Sequence, residues 1–391
     1  MPHVTGLDLP IPFLAISAFI FGLIIGSFLN VVIYRIPRGS SIVFPGSHCA
    51  SCGAPVRAFD NVPLLSYALL GGRCRSCRAR ISWIYPTVEL LTGATFMALM
   101  LKTGPSWELL LEFAFASAMI ALIFIDARHH LLPNVILYPA FVFALAAATA
   151  RAGWSEQTPL PIDISIIAPG LESPFSPWRA ALFGGLALAL AAPGFWLLDR
   201  IDPILFGKYF AWEDSGEETE ESSANASAGE KEEIEKEMEA ERRYNRAIFA
   251  TMILGAITAL AWAAMVIFFS AKTPSAYENA YDGLLRACAG ALIGGGLIWL
   301  IRAAYFFLRG FEGMGLGDVK MLSVVGAFLG WIGAFSVLLL GSILGTVAGL
   351  ILIYRSRTGL KTALPFGVCL GVASLIVMLT ATPFIKWSLL H

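Results

Sequence analysis

The chain has 391 residues, of which 57% are hydrophobic and 14% charged, with net charge −1 and mean hydropathy +0.72. Soluble globular domains carry about 25% charged residues, so this composition excludes an ordinary soluble domain and places the chain in a bilayer. No nucleic-acid partner is expected. The neutral net charge hides a division: Glu213–Glu241 holds 13 of the 28 acidic residues and two lysines, leaving 25 basic against 15 acidic residues elsewhere.

A crossing needs about 20 consecutive apolar residues. In chain order that ruler predicts spans over Ile11–Tyr34, Pro86–Leu101, Trp107–Ile125, Leu132–Ala150, Trp178–Leu198, Ala247–Ser270 and Leu284–Leu308. A run from Val319 to Tyr354 is too long for one crossing, and Gly330–Gly333 mark its expected break. Leu364–Leu389 is the last. The fold class is therefore an all-α polytopic membrane protein with about eight to ten transmembrane helices. The N-terminus lacks a basic n-region and a small-residue cleavage site, so Ile11–Tyr34 is expected to stay as the first span. Its organisation reads as a first helix (1–34), a cysteine-bearing loop (35–85) and a membrane bundle (86–150). An insert with two extra spans and the acidic loop 213–241 (151–281) and a second bundle (282–391) follow.

Basic residues collect at Arg35, Arg38, Arg57, Arg73, Arg75, Arg78 and Arg80, at Arg128, and at Arg355, Arg357 and Lys361. The positive-inside rule makes these loops cytoplasmic. The acidic stretch reads as a solvated spacer that turns helical near Glu230–Arg243.

The cysteine-bearing loop contains HCASCGAPV (Cys49, Cys52) and GRCRSCRAR (Cys74, Cys77). Two C-x-x-C knuckles can close on one tetrahedral Zn²⁺, because each turn aims two thiolates at one point. Disulfides, redox dithiols or plain thiols are the rival readings, and a cytoplasmic compartment disfavours disulfides. A full Cys₄ set leaves no open coordination position, so the metal would be structural and the lobe zinc-ribbon-like. Cys288 and Cys369, alone in apolar helices, read as packing residues.

Two aspartates stand at span ends on the same predicted side: Asp126 in ALIFIDARHHLLPN and Asp318 in GMGLGDVKML. Ionisable residues at membrane depth are functional candidates. Two facing carboxyl groups in a low-dielectric site share one proton, and so supply acid and base for amide hydrolysis. Gly313, Gly315 and Gly317 would let an extended backbone come close to Asp318, and Lys320 would lend it electrostatic support. Residue physics alone does not establish that Asp126 and Asp318 meet. It also leaves open a transporter with a zinc-binding regulatory lobe, although that reading expects acids near the midplane.

Several segments in order resemble the bacterial type IV prepilin leader peptidases, membrane aspartic peptidases of the GxGD kind. They are GSFLNVVIYRIP (Gly26–Pro37), the paired knuckles around NVPLLSYALLGGRC (Asn61–Cys74), ISWIYPTVELLTG (Ile81–Gly93), FIDARHHLLPN (Phe124–Asn134), EGMGLGDVKML (Glu312–Leu322) and LPFGVCLGVASLI (Leu364–Ile376). The resemblance implies that Asp126 and Asp318 are the catalytic pair, acting at the cytoplasmic face of the bacterial inner membrane. It implies membrane-embedded prepilins and type II secretion pseudopilins as substrates, cut after the glycine that ends a basic leader. Pilus or secretion assembly machinery would be the wider partner. It further implies N-methylation of the new N-terminus with S-adenosylmethionine, for which no cofactor-binding residues are assigned. Two departures stand out. Asn134 occupies a position that is usually acidic in the family, and residues 151–281 are additional.

Overall fold

A computed structural model describes residues 10–154, 274–309, 314–356 and 365–390. Among them the chain is helical: α1 (Ile11–Arg35), a short α2 (Leu65–Leu69), α3 (Ile84–Thr103), α4 (Trp107–His129), α5 (Asn134–Trp154), α6 (Pro274–Arg309), α7 (Leu316–Ser356) and α8 (Phe366–Leu390). Six of these are long and apolar enough to cross a membrane, and Phe366–Thr380 of α8 is a shorter apolar stretch. The protein is a multi-pass membrane protein. The expected spans Trp178–Leu198 and Ala247–Ser270, the acidic loop and Gly313 lie outside the described residues.

The chain divides into two compact units, Met1–Ile136 with Gly290–His391, and Leu137–Ala289. In the second unit the described residues are the apolar stretch of α5 after Ile136 and the first part of α6, up to Ala289. The first unit carries the four cysteines and both aspartates.

Helix ends in the first unit follow local chemistry. Pro12 occupies the first turn of α1, where a missing N–H costs nothing. The Ser106 side chain accepts from the Leu109 N–H to open α4. His130 closes α4 in the left-handed region (φ 49°), its N–H donating to the Asp126 carbonyl at 2.9 Å. The long run breaks at Gly330 (φ 77°, ψ 175°), as its glycines predict. The half before it, starting at Leu316, is about 21 Å long at ~1.5 Å per residue, less than the ~30 Å hydrocarbon core. That half carries Asp318 in its first turn.

Burial is inverted relative to a soluble bundle. On α1, Ile16, Ile20 and Ile24 point outward while Ala15, Ala18, Gly22 and Gly26 are buried. Lipid is as apolar as isoleucine, so the inward face instead favours small residues that let backbones touch. A Cβ on Gly22 would lie 2.8 Å from Gly93 Cα, and one on Gly26 2.7 Å from Glu89 Cα, so α1 and α3 are in backbone contact. Gly290 on α6 and Gly326 on α7 meet in the same way, each leaving no room for a Cβ against the other's carbonyl. Aromatic stacking ties further pairs: Phe96 on Phe113 at 3.9 Å, and Phe115 on Phe328 at 4.1 Å.

Candidate active site

Asp126 lies in the last turn of α4 and Asp318 in the first turn of α7, and both are buried. The fold brings them together. The two carboxyl groups are close enough to interact electrostatically, and Cys369 of α8 is within electrostatic reach of both. Asp126 Oδ2 accepts the Val368 N–H at 3.0 Å, and the Gly367 amide also points at this carboxylate. These are amides of the first turn of α8, where helix N–H groups have no partner within the helix. A Cβ on Gly367 would sit 2.8 Å from Asp126 Oδ2, so only glycine permits this approach. The Gly315 backbone hydrogen-bonds the Asp318 carboxylate.

The residues expected beside Asp318 separate into different roles. At Gly315 a Cβ would meet nothing nearer than 3.9 Å, so this glycine leaves open space next to Asp318 Oδ2. Gly317 does not. A Cβ there would lie 2.9 Å from Leu132 Cβ, so its bareness serves contact with the segment after α4. Leu132 also reaches the Gly367 side, where its Cδ1 would be 3.0 Å from an added Cβ, and thus packs against both aspartate-bearing arrangements. Lys320, 2% exposed, donates from Nζ to Asn134 Oδ1 at 2.9 Å. Arg302 of α6, equally buried, donates from Nε to the Met314 carbonyl at 3.0 Å and so holds the strand of backbone entering Gly315.

Gly367, Val368, Leu132 and Arg302 were not singled out from sequence. Cys369, expected to be a packing residue, is buried, and both carboxyl groups lie within electrostatic reach of it. The sequence signal for Gly367 and Val368 is the LPFG segment, in which Pro365 immediately precedes α8 and Gly367 lies in its first turn. Glu89 was missed too: it is a buried acid in the first part of α3, where the span had read as apolar.

The four expected thiols meet at one point. Sγ atoms of Cys49, Cys52, Cys74 and Cys77 all lie within 4.8 Å of one another, and Cys49 and Cys77 are 3.8 Å apart. A tetrahedron with metal–sulfur bonds of ~2.3 Å has edges of about 3.8 Å, so the cluster fits a metal ion. The knuckles are near copies. The Gly53 N–H donates to the Cys49 carbonyl, and the Arg78 N–H to the Cys74 carbonyl, with Gly53 (φ 70°) and Arg78 (φ 59°) both left-handed. Backbone N–H groups of Ser51 and Cys52 bring the Cys49 thiol down to about 6. The Ala79 N–H pulls Cys77 in the same direction, but Cys52, burial, Cys74 and Cys49 outweigh it and push that thiol up to about 11. Arg75 braces the lobe through a two-pronged contact with Asp60, at 2.6 Å to Oδ1 and 2.8 Å to Oδ2. That contact holds the Asp60 carboxyl below the usual carboxylate range.

Two family models match: the bacterial peptidase A24 N-terminal domain over residues 20–103 and the type IV leader peptidase family over residues 245–350. Asp318 falls in the second segment and Asp126 between the two. A prepilin leader peptidase/N-methyltransferase of Aeromonas hydrophila is 27% identical over 97% of this chain and 95% of its own. The protein of that name from Neisseria gonorrhoeae is 32% identical over 50% of this chain and 68% of its own. Another, from Myxococcus xanthus, is 43% identical over 35% of this chain, and the match spans 41% of that relative's length. No solved structure matches. The chain belongs to the type IV leader peptidase family.

Proposed function

We propose that the protein is a membrane aspartic endopeptidase that removes the leader of type IV prepilins and type II secretion pseudopilins, and that Asp126 and Asp318 are its catalytic residues. The observation that carries this reading is the buried pair of interacting carboxyl groups at the ends of two membrane helices. The arginine-rich loops support a cytoplasmic location for that face by the positive-inside rule, and the family resemblance points to the bacterial inner membrane. The pilin precursor is itself a membrane helix, so its scissile bond arrives at the same depth. No comparison favours the transporter reading.

The chemistry follows from one proton shared between two carboxyl groups. The ionised carboxyl takes a proton from water as the oxygen attacks the scissile carbonyl. The protonated one donates to the carbonyl oxygen. The tetrahedral diol then collapses as a proton passes to the leaving nitrogen, and the new amino terminus departs. The Val368 amide holds Asp126 Oδ2, and the carboxylate so oriented activates water. The open space at Gly315 admits the substrate backbone beside Asp318.

Cys49, Cys52, Cys74 and Cys77 would hold a structural Zn²⁺, which crosslinks the lobe and leaves no coordination position for substrate. Methylation of the trimmed N-terminus with S-adenosylmethionine accompanies cleavage in this reading, as the names of the relatives suggest. The test is mass spectrometry of a model prepilin incubated with the purified protein in lipid and with S-adenosylmethionine. A product lacking the leader and one methyl group heavier is expected, whereas an intact precursor contradicts the peptidase reading.

A further inference from the structure

Arg302, near the C-terminal end of α6, is 2% exposed. A guanidinium buried in a membrane helix is costly, so the groups it bonds show what it is kept for. Its Nε donates to the Met314 carbonyl at 3.0 Å. The proton transfers between water, Asp126 and Asp318 make no direct use of that bond.

The Met314 carbonyl and the Gly315 N–H are the two ends of one peptide unit. A trans peptide is planar, so these groups point in opposite directions. The Gly315 backbone hydrogen-bonds the Asp318 carboxylate, and only its N–H can donate to a carboxylate. Its carbonyl, on the next peptide, accepts the Asp318 N–H at 3.2 Å. Arg302 therefore holds one end of the peptide whose other end holds Asp318. A cation on the carbonyl also polarises the peptide and strengthens its N–H as a donor. Turned over, the same peptide would aim its carbonyl oxygen at Asp318. The Gly315 φ lies outside the left-handed region. Reversing the peptide rotates it by a half-turn, toward the left-handed values that glycine adopts freely and other residues do not. Glycine thus makes the reversal cheap, and the arginine opposes it.

Resting on the peptidase reading above, we propose that Arg302 is a positioning residue for cleavage: it locks the Met314–Gly315 peptide with its N–H toward Asp318. It acts on the aspartate through that one peptide unit. Without it the peptide reverses, which withdraws a donor from Asp318 and presents a carbonyl that competes for the proton shared with Asp126. The open side of Gly315, where substrate backbone enters, keeps its shape, so the loss falls on kcat and not on KM.

The test uses the full-length protein in lipid nanodiscs, with steady-state cleavage of a model prepilin. Arg302→Met removes the donor. Arg302→Gln keeps one, because glutamine Nε2 and arginine Nε are both bonded to Cδ. Arg302→Met is expected to lower kcat on the order of 10–100-fold at unchanged KM, and Arg302→Gln to recover most of that loss. Adding Gly315→Ala to Arg302→Met should also restore kcat, since alanine disfavours the reversed peptide and its Cβ meets nothing nearer than 3.9 Å. A merely structural arginine would not be rescued by that methyl group. Methionine precedes glycine only at Met314–Gly315, so labelling Met carbonyl carbon and Gly nitrogen isolates the Gly315 amide resonance in NMR spectra. Asp318→Asn and Arg302→Met should both move it, and Arg302→Gln should not. A resonance that ignores Asp318→Asn overturns the inference even if Arg302→Met does not insert. Wild-type kcat in Arg302→Met, a rise in KM alone, or a kcat loss that neither rescue restores overturns the inference and leaves the peptidase reading in place. A wild type that leaves leaders uncut overturns both.

Discussion

Lys320 Nζ donates to Asn134 Oδ1 at 2.9 Å, joining the segment that follows Asp126 to the helix that begins with Asp318. Lys320 is two residues past one aspartate, and Asn134 opens the helix after the other. Their bond is thus a strut between the two halves of the candidate site. An acid is usual at position 134 in the family that the sequence resembles; here a neutral amide accepts from the lysine instead. Asn134→Leu leaves a buried ammonium with one acceptor fewer, a loss of about 1–3 kcal/mol. It is expected to lower Tm and slow leader cleavage. Asn134→Asp supplies a charged acceptor of the same shape, so stability and cleavage should hold or rise. Thermal unfolding in detergent and a cleavage time course on both variants check this; wild-type behaviour in Asn134→Leu contradicts the strut.

Gly367 and Gly315 separate two uses of a missing Cβ. Gly367→Ala would drive a methyl group to 2.8 Å from Asp126 Oδ2, displacing the carboxylate or the start of α8. A shift of about 1 Å at a catalytic group costs up to ~100-fold, so kcat is expected to fall steeply. Gly315→Ala meets nothing in the protein itself, so Tm should not change. If a substrate strand lies against Gly315, the added methyl raises KM. Steady-state kinetics on a fluorogenic leader peptide read both, and equal kcat losses in the two variants would contradict the distinction.

The cysteine lobe makes a pH-dependent prediction about metal. Purified protein should carry one Zn²⁺ per chain, removable by a strong chelator with loss of lobe structure. Cys49, at about 6, is already a thiolate at neutral pH, whereas Cys77, at about 11 in the metal-free lobe, must release its proton when the metal binds. Protons therefore compete with the metal. Affinity should fall with falling pH and drop more steeply below about pH 6, where Cys49 also protonates. Metal content across a pH series, measured by elemental analysis, would contradict this if it stayed flat or rose toward acid.

The readable parts of this chain were those encoded by local spacing. The knuckles were visible because C-x-x-C geometry is set within four residues, and their Sγ atoms lie within 4.8 Å of one another. The break at Gly330 was visible because the apolar run exceeds one crossing. Both aspartates were visible because each interrupts apolar sequence at a span end. Partners set by packing were not. The bond from Val368 to Asp126 spans 242 residues, and that from Lys320 to Asn134 spans 186. No periodicity within a helix announces either. Glu89 was hidden because one acid near the end of an apolar run looks like interface chemistry until Leu64 and Ser27 are seen around it. The bareness of Gly317 is visible in sequence and suggests an opening, while Leu132 filling that space is visible only in the fold.

The central claim, that Asp126 and Asp318 act as one catalytic pair, is tested most directly with Asp126→Asn, Asp318→Asn and the double variant, reconstituted in lipid with a model prepilin. Residues that act as a unit are not additive. The account predicts that each single variant loses leader cleavage to the level of the double variant while inserting and unfolding like wild type. Either single variant cutting at a rate near wild type would contradict it.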